Sequence, residues 1–238
     1  MIERVHFQEK ETIVAILAER RYIDVAKREI VEQRRQLEAF IREDPFFKIT
    51  YDPYACPSDS PKIVRRMCAA SRLAGVGPMA AVAGAIAELA VEAMVDAGAA
   101  HAIVDNGGDI AMRLDRPITV GIYTGGSNIK NVGFKIQPTD SLYGICTSSG
   151  TVGPSVSLGN ADAATVFSNS ASVADAFATS LGNAVKMDDK RHIENAIKRF
   201  DMGLVDGIVA ITRNHIATRG MLPEIVRSKV DYDVITKG

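Results

Sequence analysis

The chain has no tryptophan, only three cysteines and four histidines among its 238 residues, and 6% aromatic content. Without tryptophan a common base- or flavin-stacking side chain is missing, which leaves Tyr51, Tyr54, Tyr123 and Tyr143 for that role. Cys56, Cys68 and Cys146 are odd in number and form no Cys-x-x-Cys pair, so a reduced, cytoplasmic protein is expected rather than a disulfide scaffold. His6, His101, His192 and His215 stand far from one another and from the cysteines, a pattern that argues against zinc. His101, at the entry to a strand, reads as a packing or hydrogen-bonding residue. Net charge is −1 with no basic tract, so neither nucleic acid nor an anionic membrane is expected as a partner. No charged n-region followed by an apolar h-region opens the sequence, so a secretory signal is not expected. The longest apolar stretch, residues 69–100, is broken by Arg72, Glu88, Glu92 and Asp96 and reads as buried helix, not a membrane span.

What is present is the composition of an ordinary globular chain, 47% hydrophobic and 24% charged, long enough for a substantial core. No linker or internal repeat is visible, so residues 1–238 are read as one domain. Residues 4–8 and 12–17 read as a hairpin. Residues 24–44 carry Val25, Ile30, Val31, Leu37, Phe40 and Ile41 at helical spacing, and Pro45 stops that helix. Residues 46–51 are strand-like. Helices are expected at 61–73 and 79–97, split by Gly75-Val76-Gly77-Pro78. Strands follow at 101–105, 110–113, 118–123, 132–136, 143–147 and 163–168, helices at 172–185 and 188–199, and a last hairpin at 206–212 and 215–219. Grouped strands flanked by grouped helices give an α+β layered sheet-and-helix fold with mostly antiparallel strands. The small residues Ala80, Ala81, Ala83, Gly84 and Ala87 let one helix lie close to a neighbour, and a homodimer is expected if that neighbour is a second copy.

Three segments carry chemistry. In Ala174-Asp175-Ala176-Phe177-Ala178-Thr179 the carboxylate of Asp175 and the hydroxyl of Thr179 are four residues apart, on one helix face. Two hard oxygens near a strand-to-helix turn suit Mg²⁺, which takes one or two carboxylates and fills its shell with water and phosphate. The same residues also suit a first-turn carboxylate favoured by the helix dipole and a satisfied core hydroxyl. Asn106-Gly107-Gly108-Asp109 lies between two strand-like runs, where paired glycines permit positive φ, either for close backbone approach to a ligand or for a plain hairpin turn. Thr147-Ser148-Ser149-Gly150 follows a strand, and its hydroxyls and glycine suit an anion-binding nest or a solvated turn. Cys146, just before it, reads as a buried strand cysteine.

In order and spacing these segments resemble the NxGGD turn, the TSG loop and the ADAxAT helix of the ApbE superfamily of flavin transferases. The strand Ile118-Thr119-Val120-Gly121-Ile122 is similar to that family's VGI strand without its tryptophan. The resemblance covers residues 75–187. It implies an ApbE-like fold, Mg²⁺ on Asp175 and Thr179 as catalytic and metal residues, and FAD held by Asn106, Gly107, Gly108, Asp109, Thr147, Ser148, Ser149 and Gly150. The backbone amides of Gly107, Gly108 and Gly150 are the expected ligand donors. The implied activity is transfer of FMN from FAD to a threonine of an acceptor protein, or hydrolysis of FAD.

Two departures open the alternative of a non-catalytic flavin-, nucleotide- or metabolite-binding protein on the same fold. Where the family carries a Lys-Gly pair this chain has Glu88-Leu89, an anion expected to repel phosphate. The family's His-Ile-Ile-Asp-Pro segment is replaced by the stretch from Ser155 to Ala164. A phosphorylated metabolite or a deazaflavin is a third candidate ligand.

Overall fold

A computed structural model describes residues 1–150 and 159–229. Residues 155–158 of the stretch that stands in place of the family's His-Ile-Ile-Asp-Pro segment lie outside the described residues.

The chain opens with strands β1 (Ile2–Glu9) and β2 (Thr12–Glu19), joined by a tight turn in which Lys10 takes a φ of 54°. It runs straight into the long helix α1 (Arg20–Glu43). Tyr22, Ile23, Ala26, Ile30, Gln33 and Leu37 form its buried stripe at spacings of one, three and four, while Val31 faces solvent. The segment expected as a strand at 46–51 begins instead with the one-turn helix α2 (Phe46–Ile49). The Asp44 carboxylate accepts from the Phe46 amide at 3.0 Å, so Asp44-Pro45 both ends one helix and starts the next. Edge-on packing of Phe47 between Phe40 and Tyr54, with centroids 5.1 Å away in each case, holds the turn.

Helix α3 (Lys62–Ala74) ends on Gly75 at φ 68°, and a 3₁₀ turn at Pro78–Ala81 leads into α4 (Val82–Asp96). Strands β3 (Ala102–Asn106), β4 (Asp109–Arg113), β5 (Ile118–Gly121), β6 (Val132–Ile136), β7 (Tyr143–Ser148) and β8 (Ala163–Ser168) follow. The chain continues through α5 (Ala171–Ala184), α6 (Lys190–Lys198), β9 (Gly207–Ile211), β10 (Ile216–Gly220) and β11 (Glu224–Arg227). Among the described residues the strands form an eight-stranded sheet in the order β1-β2-β3-β4-β7-β8-β9-β10 and a three-stranded sheet β11-β6-β5, with antiparallel pairing throughout. The fold is therefore α+β, as the grouping of strands and helices implies. Strand β11 has no counterpart in the sequence reading.

The large sheet carries a core on each face. Helices α1, α3, α4 and α5 cover one face with Ile23, Ile30, Met67, Leu89 and Phe177. The small sheet covers the other, where its Phe134 joins Met112, Ile145 and Phe167 of the large sheet, the two phenylalanine rings meeting at 4.8 Å. That double cover explains why all six residues of β8 are buried and why its sequence is a continuous apolar run rather than an alternating one. Residues Pro78–Asp96 are long and apolar enough to cross a membrane by length and composition, yet most of them are buried among α1, α5 and strands β3 and β4. The small-residue face is consumed in that packing, which removes the ground on which a homodimer was expected.

Candidate functional site

The motif residues gather where the β3–β4 hairpin, the start of α4 and one face of α5 meet, at a groove of about 1830 Å³. The hairpin turn has both glycines at positive φ, 69° at Gly107 and 100° at Gly108, the backbone of a two-residue hairpin connection. The Asp105 carboxylate accepts from the Gly108 amide at 2.9 Å, and the Asn106 amide donates to the Ala83 carbonyl at 3.1 Å. The turn is thereby fastened to the first turn of α4. Asn106 is buried by this role, and the Gly108 N–H is engaged inside the protein.

Helices α4 and α5 run antiparallel and close, with their N-terminal halves side by side. A side chain at Gly84 would collide with the Ala171 carbonyl, its Cβ falling 2.3 Å from that oxygen, and with the Cβ of Asp175 at 2.7 Å. Across this contact each helix caps the other. Asp175 of α5 accepts from the Gly84 amide of α4 at 2.8 Å. Glu88 of α4 accepts from the Ser172 amide at 2.8 Å, the Ser172 hydroxyl at 2.6 Å and the Ser170 hydroxyl at 3.0 Å, and faces Arg66. Orphan N–H groups and the positive ends of two helix dipoles draw both carboxylates into the interior. Glu88 is thus committed to the start of α5, and the expected repulsion between it and a phosphate gives way to a structural role.

Asp175 is 7% exposed, on the groove wall with Thr179 and Asn183, each a turn further along α5. Burial pushes its carboxyl up to about 7, with the Gly84 and Ala83 amides pulling the other way. Asp109 lies opposite on β4. Its residue surface is partly open to the groove, but its Oδ1 is sealed from solvent with no hydrogen-bond partner among the described residues. Burial raises its carboxyl well above the usual range, and the charges of Asp175 and Asp105 add to the effect. Two carboxyl groups, one with an orphaned oxygen, beside the Thr179 hydroxyl make a set of hard oxygens whose charge a divalent cation would offset. Among the described residues no group of three or more His, Cys, Asp and Glu is placed to hold a metal, so the remaining ligands would come from hydroxyl, backbone, water or substrate oxygens.

The serine loop divides. Thr147 and Ser149 line the groove, with Thr147 also bonded to the Thr165 hydroxyl at 2.9 Å. Ser148 points to the opposite face of β7 and is buried, away from the groove lining. The Gly150 amide donates to the Ala161 carbonyl at 3.0 Å, and a Cβ at Gly150 would lie 2.1 Å from the Gly159 carbonyl oxygen. Neither Ser148 nor Gly150 therefore meets a groove ligand, and of the three amides expected as donors those of Gly108 and Gly150 are taken. Cys146 is fully buried and its thiol donates to the Ala171 carbonyl. His101 bonds Asp115 at 2.9 Å.

Sequence reasoning missed Asp105, Asn183 and Thr50, all of which line the groove, while Tyr51 and Tyr123, named as stacking candidates, and the Gly75–Gly77 break between helices line it too. Asn183 had a signal, since it continues the i, i+4 stripe of Asp175 and Thr179. Thr50 had none, and the loops that carry it, Tyr51 and Gly75–Gly77 reach the groove only through tertiary contact. A side chain at Gly77 would lie 2.0 Å from the Thr50 carbonyl oxygen, which shows how closely they approach.

A family model described as AbpE bacteria matches residues 2–214. A "UPF0280 protein" of Methanococcoides burtonii is 53% identical over 235 residues, spanning 98% of this chain and 99% of that one. Among solved structures, the apo flavinyl transferase ApbE of Pseudomonas stutzeri superposes with a TM-score of 0.62 at 13% identity, covering 92% of this chain and 94% of that one. The ApbE protein of Thermotoga maritima gives 0.62 at 11% identity, with 100% of both chains covered. At these identities the likeness is one of fold.

Proposed function

The chain belongs to the AbpE bacteria family, and from that premise we propose that its groove binds a flavin nucleotide, FAD, together with Mg²⁺. The observation that carries this reading is the pairing of Asp175 with Asp109, two carboxyl groups of raised pKa at one groove, one of them with a buried oxygen left unbonded. Asp175 and Thr179 would hold the metal, with Asp109 beside them. When bound, the ion would neutralise pyrophosphate charge and favour departure of the nucleotide. Asp109, its carboxyl raised by burial and by the charge of Asp175, would face the same ligand from the β4 side. Asn106 and Asp105 fix the glycine turn against α4, so that the turn backbone and the Asp175 face keep a constant separation. Thr147, Ser149 and Asn183 supply further polar contacts along the groove. The activity proposed is transfer of FMN: the pyrophosphate P–O bond of FAD breaks, a bond from phosphorus to an acceptor threonine oxygen forms, and AMP leaves.

The absence of the family's Lys-Gly pair at Glu88-Leu89 favours a second reading, in which the protein binds the flavin nucleotide without turnover. Chromatographic measurement of AMP from purified protein with FAD and Mg²⁺ separates the two. AMP release that depends on Asp175, with FMN recovered on an acceptor protein rather than free, supports the transferase reading. FAD binding without AMP supports the second reading, and no Mg²⁺-dependent FAD binding in calorimetry overturns both.

A further inference from the structure

Away from the groove, a second cavity of about 450 Å³ lies between the loop at residues 53–58 and helix α3, and it holds two of the three cysteines. Cys68 stands on α3 between Arg65 and Arg72, one turn to either side, and is 5% exposed. Cys56 stands on the loop, half-buried at the cavity mouth. Both cysteines line this one cavity, where the Cys56 thiol donates to the Pro57 carbonyl at 3.5 Å and its charge reaches the Cys68 thiol. Nothing in the proposed use of the groove involves either residue.

The loop that presents Cys56 is held on both sides. Before it, Tyr54 packs edge-on against Phe47 and Phe40 and donates to the Asp44 carboxylate. After it, the Arg65 guanidinium donates to the Ser60 carbonyl. A loop fixed at two points, with one half-buried and one buried thiol at the same cavity, has already lost most of the entropy that closing a cross-link demands.

We propose that Cys56 and Cys68 form a reactive-and-resolving thiol pair, a modification site that closes to a disulfide on exchange with a low-molecular-weight disulfide. The Cys56 thiolate attacks one sulfur of the oxidant RSSR, forming the mixed disulfide and expelling RS⁻. Cys68, losing its proton, then attacks the Cys56 sulfur, forming the internal bridge and expelling the second RS⁻. Two cysteine thiols are oxidised, RSSR is reduced, and the two protons leave on two RSH. Burial pushes the Cys68 thiol up to about 12, with the Cys56 contact adding and Arg72 opposing, so the second step is the slower one. The same loop is continuous with Thr50 and Tyr51, and α3 runs into Gly75–Gly77, so the bridge would couple two segments of the groove wall. An exchangeable pair of this kind suits a reducing compartment, where cysteine bridges are transient.

The test is incubation of the native full-length protein with oxidised glutathione, followed by intact-mass and peptide mapping. Wild type is expected to lose the mass of two hydrogens, with the peptides of Cys56 and Cys68 joined and Cys146 unreacted. Cys68→Ala is expected to stop at one glutathionyl group on Cys56, and Cys56→Ser to stay unmodified. The proposal is overturned if wild type holds glutathione on Cys56 without proceeding to the bridge, or if Cys56 does not react at all. These outcomes are read without FAD or Mg²⁺ and so stand apart from the fate of the groove reading.

Discussion

Asp175 has two jobs that pull in different directions. As the acceptor for the Gly84 amide it works best ionised, yet burial favours its protonated form. An unfolded aspartate titrates near 3.9, about three units below the folded value. The folded protein therefore holds this proton more tightly, and metal-free stability falls as pH rises from about 4 to about 7, by an amount on the order of a few kcal/mol. Asp175→Asn removes this dependence, so wild type is expected to lose stability relative to that variant across this window in urea titrations. A pH-independent difference between the two proteins would remove the raised carboxyl from the account. Thr179→Val is the matching probe of the metal. It keeps the β-branched outline and deletes the oxygen, so Mg²⁺-dependent FAD affinity should fall while metal-free melting stays near wild type. If Thr179 is instead a structural hydroxyl, melting drops, by about 1–3 kcal/mol of stability, and Mg²⁺ makes no difference.

Between elements, the reciprocal caps of α4 and α5 give a prediction that the family comparison alone would reverse. Restoring a cation with Glu88→Lys would seem to mend a departure from the transferase pattern. In the structure it would set a positive charge against the orphan N–H groups of α5 and against Arg66. The expected cost is about 3–5 kcal/mol, that of breaking a buried charge pair, read as a lower denaturation midpoint with no gain in FAD turnover. Asp188 ties other elements together. It accepts from the Thr212 hydroxyl at 2.6 Å, the Asn214 amide side chain at 2.6 Å and His215 at 3.0 Å, pinning the β9–β10 turn beside the start of α6. The Thr212 bond above all, then His215, holds its carboxyl well below the usual range. A depressed carboxyl contributes stability that is present above about pH 4 and lost as pH falls. Asp188→Ala should then cost about 1–2 kcal/mol at neutral pH, allowing for its partial exposure, with the gap to wild type closing in acid.

For the molecule as a whole, the two sheets depend on one another through Phe134 and Phe167. Phe134 is fully buried on β6, in a three-stranded sheet that buries its apolar face against the large one. Phe134→Ala is expected to cost about 3–5 kcal/mol and to raise amide exchange first in β5, β6 and β11. Exchange rising equally in α1 would show instead that the two cores unfold as one unit.

The sequence by itself determined the α+β class, the strands from β3 to β10 within a few residues, and the stripe of Asp175 and Thr179, because each is written in local periodicity or in i, i+4 spacing. Legible too were the positive-φ glycines of the β3–β4 turn, since few other residues tolerate that backbone. Only the tertiary structure decided the rest. Residues 46–51 carry a strand-like apolar run, but Asp44 capping and the Phe40–Phe47–Tyr54 cluster make its start helical. The serine loop shows four similar residues in line, and the pleat of β7 together with the pairing to Ala161 decides that Thr147 and Ser149 face the groove while Ser148 and Gly150 do not. Glu88 reads as a misplaced anion until α5 is set against it. Asp109 reads as a turn residue until Asp175, 66 positions later in the chain, is brought close enough to raise its pKa. Local spacing fixes which face a side chain takes on its own element, whereas burial, charge and capping depend on what that face meets, and only the folded chain supplies the partner.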